Sequence, residues 1–203
     1  MAKAPTSPAL RERYDRRQAG VVTAAAHVFA ERGYDQTSVQ ELSEGIGLAA
    51  GGLYHYFGGK EQLLIRICDQ LMDPLLGDAR KLAAGDGGAA ERLRAVVRLW
   101  VAHAIEHRDH MLVFQQERHV IDHGDQWAEV RRTRKAFERV VEKLLDEART
   151  EGAIDGDRRL LLAALLGMVN HTVQWYRPGG RLKPQQIADG YVDLVVGGGA
   201  DPT

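Results

Sequence analysis

Phe29–Leu63 reads FAERGYDQTSVQELSEGIGLAAGGLYHYFGGKEQL, and its punctuation decides how the rest of the chain is organised. Just upstream and into it, Val22, Ala25, Ala26, Phe29 and Ala30 recur at i, i+3, i+4, i+7 and i+8, the apolar stripe of an amphipathic helix. Gly33 follows the last apolar position, where a glycine closes a helix in the left-handed conformation without steric cost. Thr37 with Gln40 and Ser38 with Glu41 form two overlapping capping boxes, so a second short helix starts at one or the other. Gly45 and Gly47 bracket Ile46, and a third short helix is predicted over Ala49 to His55. A fourth begins at Lys60 after Gly58-Gly59 and bends near Pro74.

Two short helices joined by a tight glycine turn have the anatomy of a helix-turn-helix. Leu42, Ile46, Leu48 and Leu53 are expected to supply its small shared core, Ser43 to permit close helix approach, and Gly47 to make the turn. The second helix is then free to lie in a major groove.

Downstream, Ala83–Gly88 (AAGDGG) reads as a loop, and Leu93, Val96, Val97, Trp100, Val101 and Ala104 mark a fifth helix. A sixth is predicted from about Met111 to Ile121. A seventh carries Trp127, Val130, Phe137, Val140, Val141, Leu144, Leu145 and Ala148. Leu160–Val169 is apolar on every face except for one glycine, so it is covered from more than one side. The chain's own core reaches one side only, and this helix and the final one, Pro184 to about Val196 with Ile187, Tyr191, Leu194 and Val195, are expected to pair with their copies in a second subunit. No segment alternates like a strand. The fold class is therefore all-α, with about nine helices.

The 203 residues carry a net charge of -1, so any nucleic-acid contact must come from a local patch rather than from overall basicity. Met1–Gln18 supplies one: five cations (Lys3, Arg11, Arg13, Arg16, Arg17) against two anions (Glu12, Asp15). The first ten residues, MAKAPTSPAL, read as a mobile arm. Cys68 is the single cysteine, which excludes an intrachain disulfide and leaves no cysteine partner for a zinc site. With no leader-like opening and no apolar run near the roughly 20 residues that span a bilayer, a cytoplasmic protein with no membrane contact is expected. A glycine-rich phosphate loop, a nucleophile elbow, an HExxH motif and an arguable acid pair are all missing, so no enzyme is expected.

The Phe29–Leu63 run resembles the DNA-binding domain of TetR-family repressors, in its Gly33-Tyr34, Thr37-Ser38-Val39, Gly47-Leu48, Leu53-Tyr54-x-x-Phe57 and Lys60-Glu61-x-Leu63 elements. The resemblance implies an arm and a three-helix DNA-binding domain over residues 1–59, and a ligand-sensing, dimerising domain over residues 60–203. It also implies a homodimeric repressor on a palindromic operator, released by a small molecule. Thr37 and Ser38 match the family's phosphate-contacting start of the second helix, Gly51, Gly52, Tyr54 and His55 its recognition helix, and Lys60 the lysine that opens the fourth. Tyr54 has packing as its alternative role, Ser38 pure capping, and Tyr56 with Phe57 are expected in the core. Ala49 departs from the family, where many members have a capping serine; the missing oxygen is worth roughly 1 kcal/mol.

Trp175-Tyr176-Arg177-Pro178-Gly179-Gly180, Gln185-Gln186, Tyr191 and Phe114-Gln115-Gln116-Glu117 are similar to actinobacterial regulators of sterol-ring catabolism that respond to coenzyme A thioesters. The effector that this implies is hydrophobic or acyl-CoA-like. Trp100, Phe114, Trp127 and Trp175 are candidates for an apolar pocket, with plain core as the alternative, and His103 and Glu117 complete the candidate set. Arg134 falls on an apolar stripe, where it pairs with an acidic ligand group, bridges to a residue such as Glu117, or reaches water. Five of the eight histidines lie between His103 and His123, and the pairs His103/His107 and His119/His123 have the spacing of metal ligands on one helix face. A metal-responsive regulator is thus one alternative and a non-DNA-binding helical scaffold another; the preferred reading assigns no metal and no cofactor.

Overall fold

The computed structural model describes residues 7–197, which form ten α-helices and one 3-10 turn, with no strand among them. The helices are α1 (Pro8–Arg32), α2 (Val39–Gly45), α3 (Ala50–Phe57), α4 (Lys60–Ala83), α5 (Ala89–Glu106), α6 (Arg108–Gln116), α7 (Arg118–Ile121), α8 (Ala128–Thr150), α9 (Arg158–Trp175) and α10 (Pro184–Val196); the 3-10 turn is Asp125–Trp127. The all-α expectation holds. The expected sixth helix is two: the backbone leaves helical geometry at Glu117 (φ -92°, ψ 16°) between α6 and α7. Trp127 ends the 3-10 turn ahead of α8, and α4 continues through Pro74.

Part of the expected arm, residues 1–6, lies outside the described residues. Pro8, Ala9 and Leu10 are not arm but the first turn of α1, with Arg11 N donating to Ser7 O at 2.9 Å. Proline there lacks only an N–H that a helix start leaves unused, and its fixed φ suits the helix.

The described residues form two compact units, one of 7–71 with 109–130, the other of 72–108 with 131–197. The 1–59 and 60–203 division read from the sequence is a cut along the chain; these units are defined by what contacts what, and α4 contributes to both. In the first unit, Val22, Ala25, Ala26 and Phe29 of α1, Leu42 of α2, Leu53 and Phe57 of α3, and Leu63, Leu64 and Ile67 of α4 are all buried. Each buried large apolar side chain contributes about 1.5–3 kcal/mol. Close approach of α2 to α1 rests on Gly45, where a Cβ would stand 2.8 Å from Val28 Cγ2. Residues 109–130 return to this unit through polar contacts: His27 Nδ1 with Asp109 Oδ2 (2.9 Å), His110 Nε2 with Gln70 Oε1 (3.1 Å), and Tyr34 N donating to Glu117 Oε1 (3.3 Å). The hydrogen bond to Asp109, helped by Glu31, raises the pKa of His27 above its ordinary value. Cys68 is buried in α4, and burial pushes its thiol pKa up.

In the second unit, α5 buries Leu93, Val96, Val97, Trp100, Val101 and Ala104 against α9 and α10, which bury Leu165, Val169 and Val173, and Ile187, Ala188, Val192 and Val195. Arg98 grips Asp189 with two hydrogen bonds (2.6 and 2.8 Å), and Arg94 reaches Asp193 (2.6 Å). Arg98 thereby holds the Asp189 carboxyl below the usual carboxylate range. Thr172 Oγ1 and Tyr191 Oη share a 2.8 Å hydrogen bond between α9 and α10. These contacts use one side of α9. On its other side Leu160, Ala164, Gly167, His171 and Trp175 follow one another at helical spacing, all exposed, and Leu194 of α10 is 69% exposed.

Candidate nucleic-acid interface

Ser38 resolves the start of α2. Its Oγ accepts from Glu41 N (3.2 Å) while Glu41 Oε2 accepts from Ser38 N (2.8 Å), the reciprocal pair of a capping box. The hydrogen bonds hold the Glu41 carboxyl below its ordinary pKa. Thr37 is buried instead, its hydroxyl donating to Gly33 O at 2.7 Å. Of the two expected phosphate contacts at this helix start, only Ser38 faces solvent in the structure.

The turn into α3 is made at Gly47, with φ +67°, while Leu48 N donates to Ser43 O (2.9 Å) and Ile46 N to Leu42 O (3.0 Å). Gly47 reaches this left-handed φ because it lacks a Cβ. Leu42 and Leu53 are the fully buried pair of the expected core, with Ile46 and Leu48 half-buried. Ser43 is also buried. As expected from its side chain, Ala49 gives α3 no side-chain cap.

On α3 the apolar residues turn inward and the expected contact residues outward. Leu53 and Phe57 are buried; Gly51, Tyr54 and His55 are exposed, with Tyr54 at 55%, and Gly52 is half-buried. Tyr56, expected in the core, is half-buried against Tyr14 of α1, ring centroids 5.9 Å apart. Leu10, Tyr14, Val21, Leu48, Tyr56 and Phe57 line an apolar groove of about 260 Å³ there, edged by Arg13 and Arg17. Gly58 closes α3 with φ +79° and Gly58 N donating to Tyr54 O at 2.9 Å. Lys60 opens α4 half-buried, its Nζ 4.2 Å from the centroid of the Tyr34 ring, a cation–π contact that fixes where the charge stands.

The expected ligand residues are divided between the units. Trp100, His103, Arg134 and Trp175 belong to the second; Phe114, Glu117 and Trp127 belong to the first. Trp100 is buried edge-on against Phe137, centroids 4.9 Å apart at 74°. His103 is buried beside His107, with ring centroids 4.3 Å apart. Arg134 Nε lies 3.8 Å from Glu138 Oε1, one turn along α8. Phe114 and Trp127 are buried, whereas Trp175 is 43% exposed on the open side of α9. In the second histidine pair, His123 Nδ1 is 2.9 Å from the backbone oxygen of His119.

A solvent-facing helix of this kind, seated on its partner by leucines and a glycine turn, defines the class of helix-turn-helix DNA-binding proteins. Residues 21–67 match the model of the bacterial regulatory proteins of the tetR family, and residues 86–198 that of the tetracyclin repressor-like C-terminal domain. The chain belongs to the TetR family of transcriptional regulators, which are not enzymes. It is similar to the HTH-type transcriptional repressor KstR2 of Mycobacterium tuberculosis, 27% identical over 184 residues, or 90% of this chain and 92% of that protein. The solved structure of that ketosteroid regulator matches with a TM-score of 0.82 over 90% of this chain and 94% of its own. AibR in complex with isovaleryl coenzyme A and operator DNA matches with a TM-score of 0.77 at 29% identity, covering 89% of this chain and 98% of its own. No helix among the described residues is long and apolar enough to cross a membrane.

Proposed function

We propose that the chain is a cytoplasmic repressor that binds a palindromic operator as a homodimer and leaves it when a hydrophobic or acyl-CoA-like effector binds the C-terminal domain. The observation that carries this reading is the outward set on α3, Gly51, Tyr54 and His55, beside the inward Leu53 and Phe57. Gly51 has open space around it, so backbone can approach a groove wall closely there. Tyr54 and His55 reach base edges or phosphates, Ser38 and Lys60 hold phosphate oxygens at the starts of α2 and α4, and Gly52 keeps the helix narrow. Thr37 acts one step back, fixing the turn that aims Ser38. The open side of α9, with Leu160, Gly167 and Trp175, and the exposed Leu194 supply the second-subunit surface.

Gel shifts on the fragment upstream of the chain's own coding region test the reading. Binding is expected at low salt and is expected to weaken steeply as salt rises through counterion release. Tyr54→Ala and Lys60→Ala each weaken it by roughly tenfold, as loss of a contact worth about 1–3 kcal/mol predicts, with unchanged melting temperatures. No shift at low salt beyond that of a random fragment overturns the reading, and unchanged affinity in either variant removes that residue from the interface.

AibR, whose structure holds isovaleryl coenzyme A, supports the effector class. A thermal-shift panel of acyl and steroid-like coenzyme A thioesters, their free acids and free coenzyme A separates the possibilities. A thioester at a hundred times its Kd raises native-state stability by about 2.7 kcal/mol. A panel in which the thioesters move the midpoint no more than free coenzyme A removes the acyl-CoA assignment.

A further inference from the structure

Where residues 109–130 rejoin the first unit, a carboxylate lies covered but only half used. Glu117 is 6% exposed; Oε1 accepts from Tyr34 N at 3.3 Å, while Oε2 is buried with no hydrogen-bond partner. A covered carboxylate oxygen without a donor is unfavourable, and either a proton or a cation relieves it. Two further donors stand beside it. One ligand atom each of Asp35, Glu117 and His119 all lie within 4.8 Å of one another, with His119 Nε2 4.0 Å from Asp35 Oδ2.

The imidazole is turned the right way for a metal. His119 Nδ1 lies 3.2 Å from the Gln116 backbone oxygen, an acceptor only, so Nδ1 donates there and Nε2, 4.0 Å from Asp35 Oδ2, is the nitrogen that a neutral ring offers to a cation. A ring held by a carbonyl at one nitrogen and offering the other is the usual support of a metal-bound histidine. Glu117 has Oε1 engaged by Tyr34 N and Oε2 covered with no hydrogen-bond partner. Donors around one tetrahedral zinc ion at about 2.0–2.2 Å stand roughly 3.3–3.6 Å apart, so closure asks for movements of up to about 1 Å. Asp35 and His119 have side chains 68% and 66% exposed and can supply that movement and the entry path.

We propose that Asp35, Glu117 and His119 form a divalent-cation site, best matched to zinc, with a fourth position left to water. One imidazole and two carboxylates favour zinc over magnesium or calcium, which take all-oxygen shells. The bound ion ties the α1–α2 connection, which sets the start of α2, to the α6–α7 junction. This site takes His119 from the second histidine pair visible in the sequence, without His123, and joins it to two carboxylates that the sequence pattern did not group with it.

The full-length protein, stripped with a chelator, is titrated with Zn²⁺ by calorimetry and with Co²⁺ by visible absorption. One cation per chain is expected, with a tetrahedral cobalt spectrum. Glu117→Gln, which keeps the acceptor for Tyr34 N, and the exposed His119→Ala each weaken Zn²⁺ binding at least tenfold, while His123→Gln binds like the natural chain. If Glu117→Gln fails to fold, His119→Ala and Asp35→Asn carry the test. No binding above the buffer blank overturns the site, as does natural affinity in His119→Ala, or a loss in His123→Gln as large as that in His119→Ala.

Discussion

A chain carrying Gly167→Arg folds as the natural chain does, runs as a monomer, and loses roughly a hundredfold to ten-thousandfold in operator affinity. Within one chain an arginine fits: a Cβ at Gly167 meets no heavy atom within 4 Å, and the residue is exposed in the middle of α9. A mid-helix glycine costs about 1 kcal/mol relative to alanine, and in the proposed homodimer it lets a second backbone approach closely. Gly167 lies on one line with Leu160, Ala164, His171 and Trp175. Placed at a two-fold axis, the substituted arginine faces its own copy, so two like charges lose water together. The operator loss follows because a second half-site then binds as a separate event, without the high effective concentration that linkage gives. Light-scattering mass, a melting curve and a gel shift check it together; a dimeric mass in the variant ends the assignment of α9 to the subunit interface.

Leu53→Ala produces the other large effect, a loss of about 2–5 kcal/mol in unfolding free energy. Leu53 is fully buried on α3, opposite the exposed Tyr54 next to it in the chain, in a small domain whose α2–α3 pair has Leu42 as its other fully buried leucine. Removing its side chain leaves a cavity that helices held by short glycine turns close only by shifting α3. Domains of this size have about 5–15 kcal/mol of stability in total, so the loss is visible in any urea titration. The neighbouring Tyr54→Ala separates the roles, being silent in urea and visible on DNA. A Leu53→Ala midpoint equal to that of the natural chain shows that the leucine is not the anchor of α3.

Much of the first unit was legible because its signals are local. Gly33, Gly47 and Gly58 all have positive φ, and Ser38 caps α2; each residue type specifies a backbone state within a few positions of itself. Sequence leaves Thr37 and Ser38 open, since each has a hydroxyl and a Gln or Glu three residues on, and the structure distinguishes them by the inward hydrogen bond of Thr37 to Gly33 O and the capping box of Ser38 with Glu41. Gly45 reads as turn punctuation in the sequence, yet its tightest neighbour is Val28 on α1, a long-range fact that no local rule carries. The same holds for Glu117, which sequence placed among ligand contacts and the structure engages with Tyr34 N. Its proximity to Asp35 is not legible in spacing, because Asp35 is far away along the chain, whereas His119 is two residues on. Periodicity tells which face of a helix is apolar and not what covers it, which is why Trp175 was grouped with an interior pocket although it stands on the open side of α9.

Cys68 is the chain's single thiol, fully covered within α4 and held in its protonated form by burial. Since only the thiolate reacts with alkylating reagents, a maleimide added to the native protein tags just those molecules whose first unit has come open. The cysteine is therefore a built-in stopwatch for breathing of that unit, read by mass spectrometry without any added label site.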